Sequence, residues 1–232
     1  MTSQRDSRAG RAVRRIEQAP NLRGAGRYPL LLALVLLDVL LPFCLPQSVW
    51  SSLVATVAVA VTLVIGLVTA GAPRRVTRLA LAIGAAVVAF AVIQAALDTT
   101  RFQGIGFFLL AALLICTPPL ILRRIFAERE VTLRILFGAV SIYILIGLTF
   151  AYVFVGVYRA TGHFFTQASS HTQADFVYYS FITMLTVGYG DLTPATNLAR
   201  VLAIFDAMLG QIFLVTAVAL LVSLYGQHTR GE

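Results

Sequence analysis

The chain has 232 residues, 59% apolar and only 12% charged, about half the charged share of a soluble domain. Its formal net charge is +8, every one of the 18 basic residues is Arg, and seven of them fall in the first 27 residues. So little polar side chain argues against a soluble enzyme and against a free nucleic-acid binder. The two cysteines, Cys44 and Cys116, both sit in apolar runs and offer neither a disulfide framework nor a metal site.

A helix needs about 20 apolar residues to cross the hydrocarbon of a bilayer. Six runs qualify: Tyr28–Leu45, Val49–Ala70, Val76–Leu97, Gly104–Leu122, Leu133–Tyr158 and Asn197–Tyr225. No small-x-small cleavage site follows the first run, only Pro42-Phe43-Cys44-Leu45-Pro46, so it reads as an uncleaved span. A seventh run, Asp175–Leu185, is about 16 Å long as a helix, enough to reach mid-membrane and turn back. With the N-terminus in the cytoplasm, 15 of the 18 arginines lie on the inner side and only Arg101, Arg159 and Arg200 outside. The positive-inside rule therefore predicts six spans with both termini cytoplasmic, and a re-entrant segment entering from outside. Thr117-Pro118-Pro119 is expected to kink or end the fourth span, and Glu128-Arg129-Glu130 to form a short surface helix.

After the short helix comes Thr186-Val187-Gly188-Tyr189-Gly190-Asp191. A dehydrated cation needs oxygen ligands, and backbone carbonyls supply them without net charge. In an ordinary strand successive carbonyls point to opposite sides; Gly188 and Gly190 can take positive φ and bring neighbours to one side. Residues 186–189 span about 12 Å when extended, room for several ions in single file. One strand cannot encircle an ion, so several copies must meet around an axis. The 175–185 helix aims its partially negative C-terminus at the mid-membrane, which favours a cation there, and Asp175 reads as its N-cap.

From Asp175 through Tyr178, Tyr179, Thr183 and Asp191 this segment resembles, without gaps, the pore helix and selectivity filter of the potassium-channel family, and the likeness continues through Pro194, Arg200 and Gly210. It covers about the last 100 residues; the first four spans resemble nothing as specific. The resemblance implies an all-α membrane protein whose four subunits surround one pore. Potassium ions would be bound at Thr186, Val187, Gly188 and Tyr189, with Val187 and Tyr189 side chains turned away to brace the strand. The resemblance further implies a hydrogen bond from Tyr178 or Tyr179 to Asp191, and a hinge at Gly210. Glycine there also suits close helix packing. Two departures from the family are Tyr at 178 and 179, where Trp is common, and Ile182, where some simple bacterial members carry Glu.

Other polar residues stand out because carboxylates in a span are expensive. Asp206 is expected either to draw cations into the pore or, preferably, to bond pore-helix hydroxyls such as Ser180 or Thr183 as filter support beside Gly190. Asp38 is expected to be protonated or bonded to Thr56, Thr62 or Gln94, with proton sensing the lesser reading. No Arg lies within Gly104–Leu122, so a conventional voltage sensor is not expected. His163 and His171 are expected to be solvated loop residues rather than pH sensors.

The organisation that follows is a basic cytoplasmic arm (1–27), a four-helix peripheral bundle (28–125) and a pore domain (126–232). The arm, with Arg8, Arg11, Arg14 and Arg15 at helical spacing, suits either an anionic lipid surface or an unstructured tail. With seven residues after Tyr225, a cytoplasmic ligand-binding module is not expected. A homotetrameric, potassium-selective channel of a bacterial cell membrane is expected, with no cofactor beyond the permeant ion, no nucleic-acid partner and no catalysis. The alternatives are a weakly selective cation channel and a non-conducting regulatory subunit.

Overall fold

A computed structural model of the chain describes residues 28–46, 48–69, 71–96, 103–127 and 133–228. The basic arm and the expected 128–130 surface helix lie outside these residues. The described residues form seven helices and no strand: α1 (Tyr28–Cys44), α2 (Val49–Thr69), α3 (Arg74–Ala96), α4 (Gln103–Ala127), α5 (Leu133–Thr161), α6 (Gln173–Met184) and α7 (Asn197–His228). Four of them are long and apolar enough to cross a membrane, over Arg74–Ile93, Gly104–Leu122, Ile135–Thr161 and Asn197–Leu220. Two shorter apolar helices, Tyr28–Cys44 and Leu53–Thr69, accompany them, the first at the lower limit of spanning length with 17 residues. The protein is thus an all-helical membrane protein with multiple spans, and α6 is the one short helix among the seven.

Of the two outcomes expected at Thr117-Pro118-Pro119, a kink or an end, the helix does not take the second. α4 does not end at Thr117-Pro118-Pro119 but continues to Ala127. Both prolines lie inside the helix, and the Thr117 hydroxyl turns back to donate to the Leu113 carbonyl at 3.4 Å. Proline is tolerated in membrane helices because neighbouring groups re-satisfy the freed backbone.

α5 is the hub, and 72% of its spanning window is buried inside the chain. α4, α1, α6 and α7 all pack against it. α2 and α3 complete a four-helix group with α1 and α4, and α1 also reaches α6 directly. The four-helix group thus rests on the α5 of its own chain. Leu31, Val35, Leu63, Leu67, Leu114, Leu145, Leu148 and Tyr152 fill the shared core. Lipid tails are as apolar as these side chains, so the association depends on close packing and interhelical hydrogen bonds.

The α4–α5 crossing shows how close that packing is. A Cβ on Gly156 would lie 2.9 Å from the Phe108 ring, and one on Gly104 would lie 3.1 Å from the Gly156 carbonyl oxygen. Gly156→Leu is therefore expected to wedge the four-helix group off α5 and destabilise the protein by about 1–3 kcal/mol, the usual range for overpacking. Thermal unfolding of the purified protein in detergent checks this, and an unchanged midpoint would disprove the close contact.

Candidate functional site: a pore helix and filter loop

α6 starts from a capping box. Thr172, extended at φ −96° and ψ 166°, is the N-cap. Its backbone N–H donates to Asp175 Oδ2 at 2.7 Å, and the Asp175 N–H donates to Thr172 Oγ1 at 3.4 Å. Asp175 is therefore the third helical residue rather than the N-cap expected from sequence. Thr-x-x-Asp satisfies two orphan N–H groups reciprocally, which a lone Asp cap does not, and so the helix begins two residues earlier.

At the other end the filter's N–H groups return to α6. Leu185 N–H donates to Phe181 O at 2.9 Å and Thr186 N–H to Thr183 O at 3.0 Å. Ile182 O accepts from both Val187 N–H (2.9 Å) and Gly188 N–H (3.2 Å). Positive φ recurs at every second residue, at Thr186 (+59°), Gly188 (+53°) and Gly190 (+79°). Alternating handedness of this kind turns successive peptide planes the same way, so with the N–H groups tied back to α6 the carbonyls are left for another partner. The glycines were expected in this conformation; Thr186 was not. A threonine held left-handed stores on the order of 1–2 kcal/mol of strain, which the surrounding bonds must hold.

The expected supports fall into three groups. Tyr178 donates from its hydroxyl to Asp191 Oδ2 at 2.8 Å, which resolves the choice left open between Tyr178 and Tyr179. Tyr179 is instead buried among Phe154, Phe164 and Phe165, with ring centroids 5.6, 6.0 and 5.0 Å away, and its hydroxyl pairs with Thr183. Asp206 is fully buried and meets Ser180 Oγ through Oδ2 at 2.9 Å, while the same Ser180 oxygen lies 2.8 Å from Gly147 O. One hydroxyl thus joins α5, α6 and α7, and Thr183 is not part of that joint. Val187 and Tyr189 are 47% and 72% exposed within the single chain.

Gly210 lies inside an unbroken α7. A Cβ there would fall 2.2 Å from Met184 Cγ, and Met184 is fully buried at the end of the pore helix. Glycine at 210 is thus demanded by close approach, the packing role foreseen beside the hinge. Next to it, Gln211 Nε2 donates to Met184 O at 3.2 Å. Gln211 was missed, although it is the one amide among the apolar residues 207–215.

Two further sequence readings need correction or placement. His171 is not solvated but buried, with Nε2 3.1 Å from Gln167 O and its ring 4.8 Å from that of Phe165; His163 is exposed as expected. Asp38 is 3% exposed and faces Thr62, one of the three partners expected for it. Among the described residues no group of three or more His, Cys, Asp or Glu is placed to hold a metal ion.

Residues 148–227, which contain the filter and all of the supports just described except Gly147, match a family model described as ion channel. A two-pore potassium channel c of Oryza sativa subsp. japonica is 39% identical over 64 residues, covering 26% of this chain and 14% of that protein. The chain thus spans about a seventh of the length of the curated relative it matches. The likeness to known ion channels thus falls on residues 148–227, the part of the chain that holds the short helix α6 and the 186–191 loop.

If the contact with Met184 is what requires glycine, Gly210→Ala should destabilise the protein by about 1–3 kcal/mol, and Met184→Ala added to it should recover part of that loss. Thermal unfolding of the two variants decides between packing and a pure hinge, for which the second substitution would restore nothing. Asp206→Asn retains atoms that both donate and accept at Ser180 and is expected to stay near the parent in the same assay. Asp206→Leu should lose about 1–3 kcal/mol by stranding the Ser180–Gly147 joint.

Proposed function

We propose that the chain is one subunit of a homotetrameric channel that conducts potassium passively and selectively. The carrying observation is the filter loop: left-handed φ at every second residue and the N–H groups of Thr186, Val187 and Gly188 bonded to α6, which supports the Thr186–Tyr189 carbonyls as ligands for dehydrated potassium with the Thr186 hydroxyl. Four copies would enclose the ions, since a single strand offers ligands from one side only. The exposure of Val187, Tyr189 and the apolar α7 residues Ile204, Phe205, Met208, Ile212 and Val215 supports this, because neighbouring subunits would cover them.

Gating follows no conventional voltage sensor in this proposal, because α4 carries no Arg between residues 104 and 122. Bending of α7 near Gly210 would open the inner mouth, with Met184 and Gln211 marking the height of the pivot. The cell membrane, with both termini on the cytoplasmic side, is the setting the arginine distribution supports.

The test is the reversal potential of the purified chain alone in planar bilayers, with potassium on one side and sodium on the other. Reversal near the potassium equilibrium potential, block by barium and a tetrameric mass by light scattering are expected. Reversal near zero would replace the proposal with a weakly selective cation channel. Current that appears only with a second channel protein would make this chain a regulatory subunit.

A further inference from the structure

The loop before the pore helix and the segment after the filter are clasped together. Phe165 and Pro194 form an antiparallel bridge, Thr166 N–H donates to Thr193 O at 2.9 Å, and Ala195 N–H donates to Phe164 O at 2.8 Å. Gln167 projects from this clasp toward the filter's exit. Its Nε2 donates to the backbone carbonyl of Asp191 at 2.7 Å, and its Oε1 accepts from Thr193 N–H at 3.3 Å and from Thr166 Oγ1 at 3.2 Å. Asp191 is therefore gripped at two atoms, its carboxylate by Tyr178 and its carbonyl by Gln167.

Gln167 is itself held from behind. Its own carbonyl accepts from His171 Nε2 at 3.1 Å. His171 is fixed in turn by stacking edge-on to Phe165, by Tyr158, whose hydroxyl lies 3.5 Å from the His171 backbone nitrogen, and by the pore-helix carboxylate of Asp175, 3.9 Å from Nδ1. A path of direct contacts runs from the buried base of the loop to the last residue of the filter motif.

We propose that Gln167 is a positioning residue for the outer end of the filter, and that His171 is the anchor that keeps Gln167 in place. The proposal rests on the channel reading above and adds what fixes the filter's exit. The Asp191 carbonyl belongs to the Asp191–Leu192 peptide plane, one residue past the left-handed Gly190, which has no side chain to hold the backbone between them. Released from Gln167, the backbone at 191 is free to shift and, through the flexible Gly190, to misalign the outermost ion ligands. An ion bound there stabilises the same backbone conformation, so external potassium and the Gln167 bond substitute for one another.

The experiment compares the parent chain with Gln167→Leu, His171→Phe and the double variant, all full-length and purified, by the decay of current at constant voltage in bilayers. Each single substitution is expected to hasten decay about three- to tenfold in low external potassium, the range one net hydrogen bond supports, and less in high potassium. The double variant should decay no more than about twofold faster than Gln167→Leu, because the two residues act in series. A general loss of stability would not respond to external potassium in this way. Parent-like decay in Gln167→Leu, or full additivity in the double variant, overturns the proposal. If Gln167→Leu fails to fold, Gln167→Glu serves, since it keeps the oxygen facing Thr193 and loses the donor to Asp191 at neutral pH; parent-like decay there overturns the proposal equally. A parent current that reverses near zero defeats the selectivity claim alone, and the decay comparison still reads the clamp. If no current flows, hydrogen exchange of the 191–193 amides in potassium decides: about tenfold faster exchange in Gln167→Leu upholds the clamp and unchanged exchange rejects it.

Discussion

The arrangement depends on one carbonyl, that of Ile182, which accepts the N–H groups of both Val187 and Gly188. A backbone whose carbonyls are all turned one way has its N–H groups turned the other, and within a membrane those donors cannot go unpaired. Those of Thr186, Val187 and Gly188 end on α6, so in the proposed channel the filter is only as well placed as that helix. This explains why so much of the surrounding polar chemistry fixes α6: the capping box at Thr172 and Asp175, the Ser180 joint to Gly147 and Asp206, and the Gln211 amide on Met184 O. The strain at left-handed Thr186 persists for the same reason, since bonds on either side leave it no cheaper conformation.

Apolar packing and polar bonding divide the task. The rings of Phe154, Phe164, Phe165, Phe176 and Tyr179 fill the space between α5, the outer loop and α6, at centroid distances of 4.9–6.0 Å where they meet. Such a cluster resists compression but specifies rotation about the helix axis only weakly. The polar joints are directional and supply that specification. Met184 against Gly210 then sets how closely α7 approaches, because steric contact, unlike a hydrogen bond, has a hard lower limit.

Much of this was legible in the sequence, and the reasons differ by residue. The order of helices followed from apolar run length, and the short pore helix stood out because 11 residues cannot cross a bilayer. The glycine alternation announced left-handed φ at 188 and 190, but carrying it back to Thr186 required the N–H bonding pattern, since threonine is not a residue that advertises this conformation. Tyr178 and Tyr179 are adjacent and alike in chemistry; only the direction each takes from the helix tells the one that reaches Asp191 from the one buried in the ring cluster. The capping box was written in Thr172-x-x-Asp175, yet Asp175 was the more familiar cap. Gln167 and His171 gave no periodic signal because they lie in a loop, whose contacts are made across 24 to 26 residues of sequence in the case of Gln167.

The burial pattern separates folding from assembly. α5 has 72% of its spanning window covered by its own chain, whereas α7 has only 17% of its window buried and residues 185–191 are exposed. In lipid, an uncovered apolar helix face is no burden, so α7 can stand bare in a folded subunit without the penalty it would carry in water. The filter cannot, because its carbonyls need either water or an ion. In the proposed tetramer the ion is therefore part of the structure: it supplies the partner that the one-sided carbonyls lack, and the subunits gain a shared site that none has alone. Substitutions on the bare face of α7 should then alter assembly more than the fold of one chain, while those at the Ser180 joint should do the reverse.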